Sequence, residues 1–495
     1  MGRGRYRVAW LLVLPVAAAE LLLLVATSNR YGYHRDELYF RVAARHPAWG
    51  YDDQPALTPL LGRFSEWLFG ADPRGLRMLS AVAMAVVVVL VALIARELGA
   101  GQAGQAVAAL ATAASGAAMA VGHLLSTTTF DVLVWVTLVF VVARILGGGN
   151  ERQWLLAGLV VGIGLENKHL VLLLVFALAC GCVLARRWEL ARSRWPWVGA
   201  VLAFALWLPN LLWQARHGWP QLELAAEIAE EDAAQNRIAL VPLQFLLIGP
   251  LLAPLWLGGL WWLLRRPEAR LYRPLGLAYV VLLVTALVTG AKPYYTMGLL
   301  LALLGAGGVV AEGWLRDRRG RQLALGLAIA LSAGVAALIT LPLVPVEDVH
   351  GTPIPDINED AIETIGWPVF AATVGRVWSE LSQSERSTAV VYASNYGEAG
   401  AIARYGSGYG IPRAYSGHNA FWRFGRPPDG ARPIIVVGYR GPQALRGDFS
   451  GCVLSARIDN GVELDNEEQG APIWTCATTT ERWSRLWPRL HSLNP

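Results

Sequence analysis

Met78-Leu79-Ser80-Ala81-Val82-Ala83-Met84-Ala85-Val86-Val87-Val88-Val89-Leu90-Val91-Ala92-Leu93-Ile94-Ala95 runs for 18 residues without an ionisable side chain and stops at Arg96. As a helix it rises ~27 Å, close to the ~30 Å hydrocarbon core of a bilayer. Ten more apolar runs follow the same pattern: Val8–Ser28, Ala103–Gly122, Thr127–Ala143, Trp154–Leu165, Leu170–Ala185, Trp197–Ala215, Val241–Leu264, Leu275–Ala291, Tyr294–Ala311 and Leu323–Leu341. Trp154–Leu165 and Leu170–Ala185 are short passes joined by Glu166-Asn167-Lys168-His169. Val8–Ser28, after Arg3, Arg5 and Arg7, resembles a signal peptide, but no small-residue cleavage site precedes Asn29. It reads as an uncleaved first helix. The expectation is a polytopic α-helical membrane protein with about 11 transmembrane helices.

Composition agrees. Of 495 residues, 55% are apolar and only 16% charged, against roughly 25% charged in soluble domains. The mean hydropathy is +0.40. The charge deficit ends near residue 346, and residues 347–495 have ordinary globular composition. These facts exclude a disordered chain, a collagenous one and a disulfide-rich secreted module. The net charge of +5 does not indicate a nucleic-acid partner, because most arginines cluster beside apolar segments.

The arginines set the orientation, since short cytoplasmic loops are enriched in positive charge. With the N-terminus cytoplasmic, Arg96, Arg144, Arg186, Arg187, Arg265, Arg266, Arg318 and Arg319 fall on the cytoplasmic side. The connections near 123–127, 166–169 and 292–293 hold no arginine, while the long first loop, 29–77, is an exception. Residues 1–346 form the membrane domain, with loop 29–77 outside and carrying juxtamembrane helices. Residues 347–495 form an extracytoplasmic α/β domain, so the expected location is the cell membrane.

Polar residues then gather at one surface. Asp36, Glu37, Asp52, Asp53 and Gln54 lie in the first outer loop, and Asp131 one turn into the fourth span. Glu166, Lys168 and His169 form one outer tip and Lys292 another. Of 42 basic residues, only Lys168 and Lys292 are lysines. A charge at mid-membrane costs at least ~3 kcal/mol, so such residues need partners or a wet cavity. The plain reading is a set of solvated loop residues; the sharper one is a single outward-facing polar site. Glu20, inside the first span, stands apart and is expected to be paired within the bundle.

The first outer loop contains Tyr31-Gly32-Tyr33-His34-Arg35-Asp36-Glu37-Leu38-Tyr39-Phe40. From Arg35 to Arg45 it reads as an amphipathic helix with a Glu37/Arg41 pair at i,i+4. Ala48-Trp49-Gly50-Tyr51-Asp52-Asp53-Gln54-Pro55 follows as a rigid turn. A carboxylate is the usual base for a hydroxyl acceptor, worth about 10²–10⁴ in rate. Lysines opposite it neutralise a leaving phosphate as charge develops. His34 and His169 are candidate imidazole ligands, but no metal-ligand spacing is present.

In the tail, Ala389–Ala393 and Pro433–Gly438 read as strands and Glu398–Tyr405 as a short helix. Gly397-Glu398-Ala399-Gly400 hints at phosphate binding without fitting a dinucleotide fingerprint. Tyr415–Trp422 reads as a cap over the site, a contact for a glycan acceptor, or a packing loop. Cys180 and Cys182 are packing residues inside a span, while Cys452 and Cys476 lie where oxidation is permitted and are expected to pair.

Asp36-Glu37, Asp52-Asp53-Gln54-Pro55, Thr127-Thr128-Thr129-Phe130-Asp131, Gly164-Leu165-Glu166-Asn167-Lys168 and Lys292-Pro293-Tyr294-Tyr295 resemble the protein O-mannosyltransferase and aminoarabinose transferase superfamily. Asn395-Tyr396-Gly397-Glu398-Ala399-Gly400 and Tyr415-Ser416-Gly417-His418-Asn419 resemble its bacterial family-39 glycosyltransferases. The resemblance implies a GT-C fold and inverting transfer of a hexosyl or pentosyl group from a polyprenyl-phosphate sugar. The acceptor would be a glycan, lipid or protein of the cell envelope on the outer face. Asp36, with Glu37, matches the catalytic acid pair and Asp131 a second acidic position. Lys168 and Lys292, with Tyr294 and Tyr295, match the phosphate-facing positions. The aminoarabinose transferases carry Glu-Lys before the proline, where this chain has Asp53-Gln54. The phosphate contact and divalent metal that the resemblance implies at that point belong to the Glu-Lys form, and no cofactor is expected to be required here. The acidic helix after Arg216, with Glu223, Glu227, Glu230, Glu231 and Asp232, is a solvated face or an interfacial helix flanking the donor's entry groove. The rival reading is a transporter or flippase of lipid-linked sugars, which would place polar residues at mid-membrane beside broken helices.

Overall fold

The computed structural model describes residues 6–231, 233–316, 318–439 and 445–493; Arg3, Arg5 and Asp232 lie outside them. The membrane domain comprises α1 Trp10–Thr27, α2 Arg35–Ala43, α3 Leu57–Phe69, α4 Pro73–Glu97, α5 Gln102–Ala113, α6 Gly116–His123, α7 Thr127–Leu146, α8 Gln153–Leu165 and α9 Val171–Leu184. It continues with the single turn α10 Glu189–Arg192, α11 Trp195–Arg216, α12 Pro220–Glu231, α13 Ala233–Ile248, α14 Ala253–Arg265, α15 Arg273–Thr289, α16 Met297–Leu315 and α17 Arg319–Thr340.

Every apolar run is helical, but the runs do not all make straight passes. Among the described residues seven helices are long and apolar enough to span, or nine spans if each of two bent pairs counts as one. The pairs are α5–α6, bent by 55°, and α13–α14, bent by 83°. Ala103–Gly122 and Val241–Leu264 each read as one unbroken span in the sequence. Ser115 starts α6 by accepting a hydrogen bond from the Ala118 amide. Gly249 takes φ 99°, a left-handed value that favours glycine, and Pro250 then removes an amide donor.

α4 is the central post, packed against α1, α3, α5, α7 and α16. α8 and α11 approach closely at Gly158 and Gly199, where a Cβ on Gly158 would lie 2.1 Å from the Gly199 carbonyl oxygen. Small residues permit such contact between spans. On α17, Leu323, Leu327 and Leu338 face outward, a surface suited to lipid. Glu20 departs from its expected pairing: it is buried on α1 with neither carboxylate oxygen hydrogen-bonded.

The tail carries a sheet ordered β2-β1-β3-β5-β4. Its strands are β1 Val390–Ala393, β2 Ala414–Ser416, β3 Ile434–Val437, β4 Phe449–Arg457 and β5 Pro472–Thr479. The first three are mutually parallel, while β5 runs antiparallel to β3 and β4. The expected disulfide joins Cys452 on β4 to Cys476 directly opposite on β5.

The tail is seated on the loop of residues 29–77. Its helix Tyr396–Tyr405 packs along α2. A Cβ on Gly397 would lie 2.8 Å from Arg35 Cβ, and one on Gly400 2.9 Å from the Leu38 backbone. The glycines of 397–400 therefore admit another helix rather than a phosphate. Glu398 closes a capping box with Asn395 and is buried.

Candidate active site

Two adjacent acids at the start of α2 have different fates because successive helical residues point about 100° apart. His34 caps the helix, its Nδ1 accepting from the Asp36 amide at 3.2 Å, and the Glu37 carboxylate accepts from the His34 amide at 2.8 Å. Asp36 is half-buried, lines two cavities, and accepts the Tyr396 hydroxyl on Oδ1 at 2.8 Å. Glu37 turns inward and is fully buried, where Arg77, equally buried, donates to Oε1 at 2.8 Å and to Oε2 at 2.7 Å. Arg77 also donates to the carbonyls of Ser28 and Gly32, and Glu37 accepts from the Leu125 amide. Glu37 lines neither cavity and is a structural hub, which corrects its place in the catalytic pair. Arg41 does not take Glu37 as its expected partner: it pairs with Glu66 of α3 at 2.5 Å.

The second acid pair divides likewise. Asp52 is fully buried and gripped by Arg423 of the tail, with Nη2 at 2.6 Å and Nε at 2.7–2.8 Å, and His491 lies 3.8 Å away. It lines neither cavity, so it clamps the tail to the loop instead of serving the site. Asp53 faces the cavity and accepts the Tyr39 hydroxyl at 2.5 Å. Burial pushes its carboxyl up to about 7 against the Tyr39 hydrogen bond, with Asp52 and Asp36 adding repulsion. Gln54 is buried beside it, both amide atoms lacking a hydrogen-bond partner.

The raised Asp53 carboxyl makes stability depend on pH. Its folded state holds a proton over an interval where the unfolded chain does not. The stabilisation is therefore full in acid and lost as pH climbs from about 4 through about 7. Asp53→Asn should flatten that fall in a series of thermal unfolding curves from roughly pH 4 to 8; an unchanged slope would refute it.

The two lysines flank these acids. Lys168 Nζ lies 3.3 Å from Thr128 Oγ1 and 5.4 and 5.3 Å from the ring centroids of Tyr294 and Tyr295. Burial lowers the pKa of Lys168, Asp131 raises it again, and Lys292 lowers it further. Asp131, buried on α7, accepts from Trp135 Nε1 at 3.1 Å and acts on the site through that charge. Lys292 is half-buried and shared by both cavities. Glu166 lines neither: its backbone carbonyl accepts from the Leu57 amide, and burial pushes its carboxyl up to about 7. Its backbone ties α3 to the tip, and its side chain stands outside both cavities.

One cavity, about 650 Å³, opens between α6, the α13–α14 break and α17, walled by residues such as Leu243, Leu247, Leu331, Val335 and Ile339. The other, about 480 Å³, is lined by Asp53, Gln54, Lys168, His169, Tyr295 and Tyr396. α12 walls it with Gln221, Leu224, Ala225 and Ile228. That settles part of the acidic helix: its apolar side flanks a groove while Glu223 is exposed. Asp36 and Lys292 belong to both cavities. The segment Tyr415–Trp422 packs behind the site rather than over it, with Phe421 6.0 Å from Tyr39 and His418 4.8 Å from Tyr396 between ring centroids.

Among the described residues no group of three His, Cys, Asp or Glu side chains is placed to hold a metal ion. The imidazoles are engaged singly: His34 caps α2, and His169 Nε2 lies 3.1 Å from both Asn210 Oδ1 and Trp207 Nε1.

Residues 53–213 match the family model described as dolichyl-phosphate-mannose-protein mannosyltransferase. The structure of ArnT from Cupriavidus metallidurans bound to undecaprenyl phosphate aligns over 94% of this chain and 98% of that one, with TM-score 0.63 and 15% identity. The chain has the GT-C fold. The apo form of the same ArnT gives TM-score 0.61 at 14% identity, covering 94% of this chain and 97% of that one. No curated protein sequence matches the chain. Within the GT-C fold, Arg77 and Arg423 are residues that sequence reading passed over, since no local pattern marks them, and Tyr396, though inside the Asn395–Gly400 motif, was given no role there.

Proposed function

We propose that this protein transfers a sugar from a polyprenyl-phosphate donor to a hydroxyl acceptor at the outer face of the cell membrane, with inversion. The observation that carries this reading is the meeting, at Asp36 and Lys292, of a cavity walled on one side by the aliphatic side chains of α13 and α17 with a second cavity that carries Asp53, Gln54 and Lys168. A lipid-phosphate sugar has the same two-part chemistry. Its prenyl chain suits the leucine-walled cavity, its phosphate the lysines, and its sugar the Asp53, Gln54 and Tyr295 side.

In this reaction Asp36 accepts the acceptor hydroxyl's proton as the oxygen attacks the anomeric carbon. The bond from that carbon to the phosphate oxygen breaks on the opposite face, and Lys168 and Lys292 neutralise the departing phosphate. The unpartnered amide of Gln54 is free to bind sugar hydroxyls. The arginine pattern supports a cytoplasmic N-terminus, with this site and the tail outside. The acceptor is a glycan, lipid or protein of the cell envelope.

Incubating membranes containing the protein with a panel of labelled prenyl-phosphate sugars tests the reading. Transfer of one label to envelope material supports it, and no transfer with any donor overturns it. Lys168→Met and Lys292→Met should each weaken donor binding about tenfold, the scale of one lost charge-assisted contact. Unchanged donor affinity in both would remove the lysines from phosphate recognition.

A further inference from the structure

We infer that Tyr396, delivered by the C-terminal domain, is a positioning residue for Asp36, so that the tail completes the catalytic centre. The inference rests on the function proposed above. The Tyr396 hydroxyl donates to Asp36 Oδ1 at 2.8 Å across 360 residues of sequence. Its ring is buried, 5.0 Å from Tyr39 and 4.8 Å from His418 between centroids, with the Arg35 guanidinium 5.8 Å away. Tyr39 in turn holds Asp53. The two carboxylates bordering the polar cavity are thus each fixed by one of two contacting tyrosines.

The support behind Tyr396 is rigid. Asn395 and Glu398 cap its helix, Gly397 and Gly400 let that helix touch α2, and Arg35 pairs with Glu467 of the tail. With Oδ1 engaged, the carboxylate is held in one rotamer and presents Oδ2 to a substrate. Such support, one step removed from the chemistry, is commonly worth 10–100-fold in function.

The test uses the full-length protein in detergent or membranes. Tyr396→Phe keeps the ring and removes only the hydroxyl. It should lower kcat roughly 10–100-fold, with donor KM within about 2-fold and the melting temperature unchanged. Arg404→Met, at the far end of the same helix, loosens its contact with Tyr33 of the loop, 5.8 Å away, but keeps the hydroxyl, so kcat should stay within about 3-fold. Wild-type kcat in Tyr396→Phe, or an equal loss in both variants, would overturn the inference. If Asp36→Asn also transferred sugar normally, the functional reading itself would fall; an inactive Asp36→Asn beside a normal Tyr396→Phe would fault this inference alone.

Discussion

Asp36→Asn should reduce sugar transfer about 10²–10⁴-fold, ~3–5 kcal/mol of transition-state stabilisation. Asparagine has nearly the same shape, and its carbonyl can still accept the Tyr396 hydroxyl and face both cavities. It cannot take a proton at neutral pH. The loss should therefore appear in kcat, with donor binding and thermal unfolding close to those of the unaltered protein. Transfer at the unaltered rate would reject Asp36 as the base, and a large fall in donor affinity would mean that its charge serves binding.

The second large effect is on stability. Glu37→Ala leaves Arg77 fully buried without its carboxylate, and Arg77→Met leaves Glu37 in the same position. Removing one member of a buried ion pair typically costs 3–5 kcal/mol, whereas replacing both members by apolar groups costs far less. Each single variant should unfold at a clearly lower temperature than the double variant Glu37→Leu/Arg77→Met. The pair also binds the exit of α1, the start of α2, α4 and the turn before α7 through Ser28, Gly32 and Leu125. Additive losses in the double variant would show that the two side chains act independently and would undo the hub assignment.

The contrast between these experiments marks what the sequence discloses. The concentration of acids and the two lysines at one membrane face is legible, because charge in an apolar chain must be accommodated somewhere. Helix existence is legible for the same reason, from unbroken apolar runs. The division of labour between neighbours is not. Asp36 and Glu37, or Asp52 and Asp53, are equivalent on paper, and only partners 40 and 371 residues away separate a reactive carboxylate from a clamp. The bends in α5–α6 and α13–α14 are hidden because their apolar composition continues through the break. The glycines at 397 and 400 carried a true signal of close approach, but sequence does not say what approaches.

The union of α2 with the tail helix also has a temporal side. Asp36 and Asp52 are synthesised some 360 and 371 residues before Tyr396 and Arg423. At ribosomal speeds of ~5–20 residues per second that interval is roughly 20–70 s. Throughout it the nascent bundle possesses Asp36 and Asp52 but not the hydroxyl and guanidinium that hold them. On the function proposed above, a product terminated early would carry the carboxylate without the hydroxyl that holds it, so full activity would come only when the last part of the polypeptide arrives.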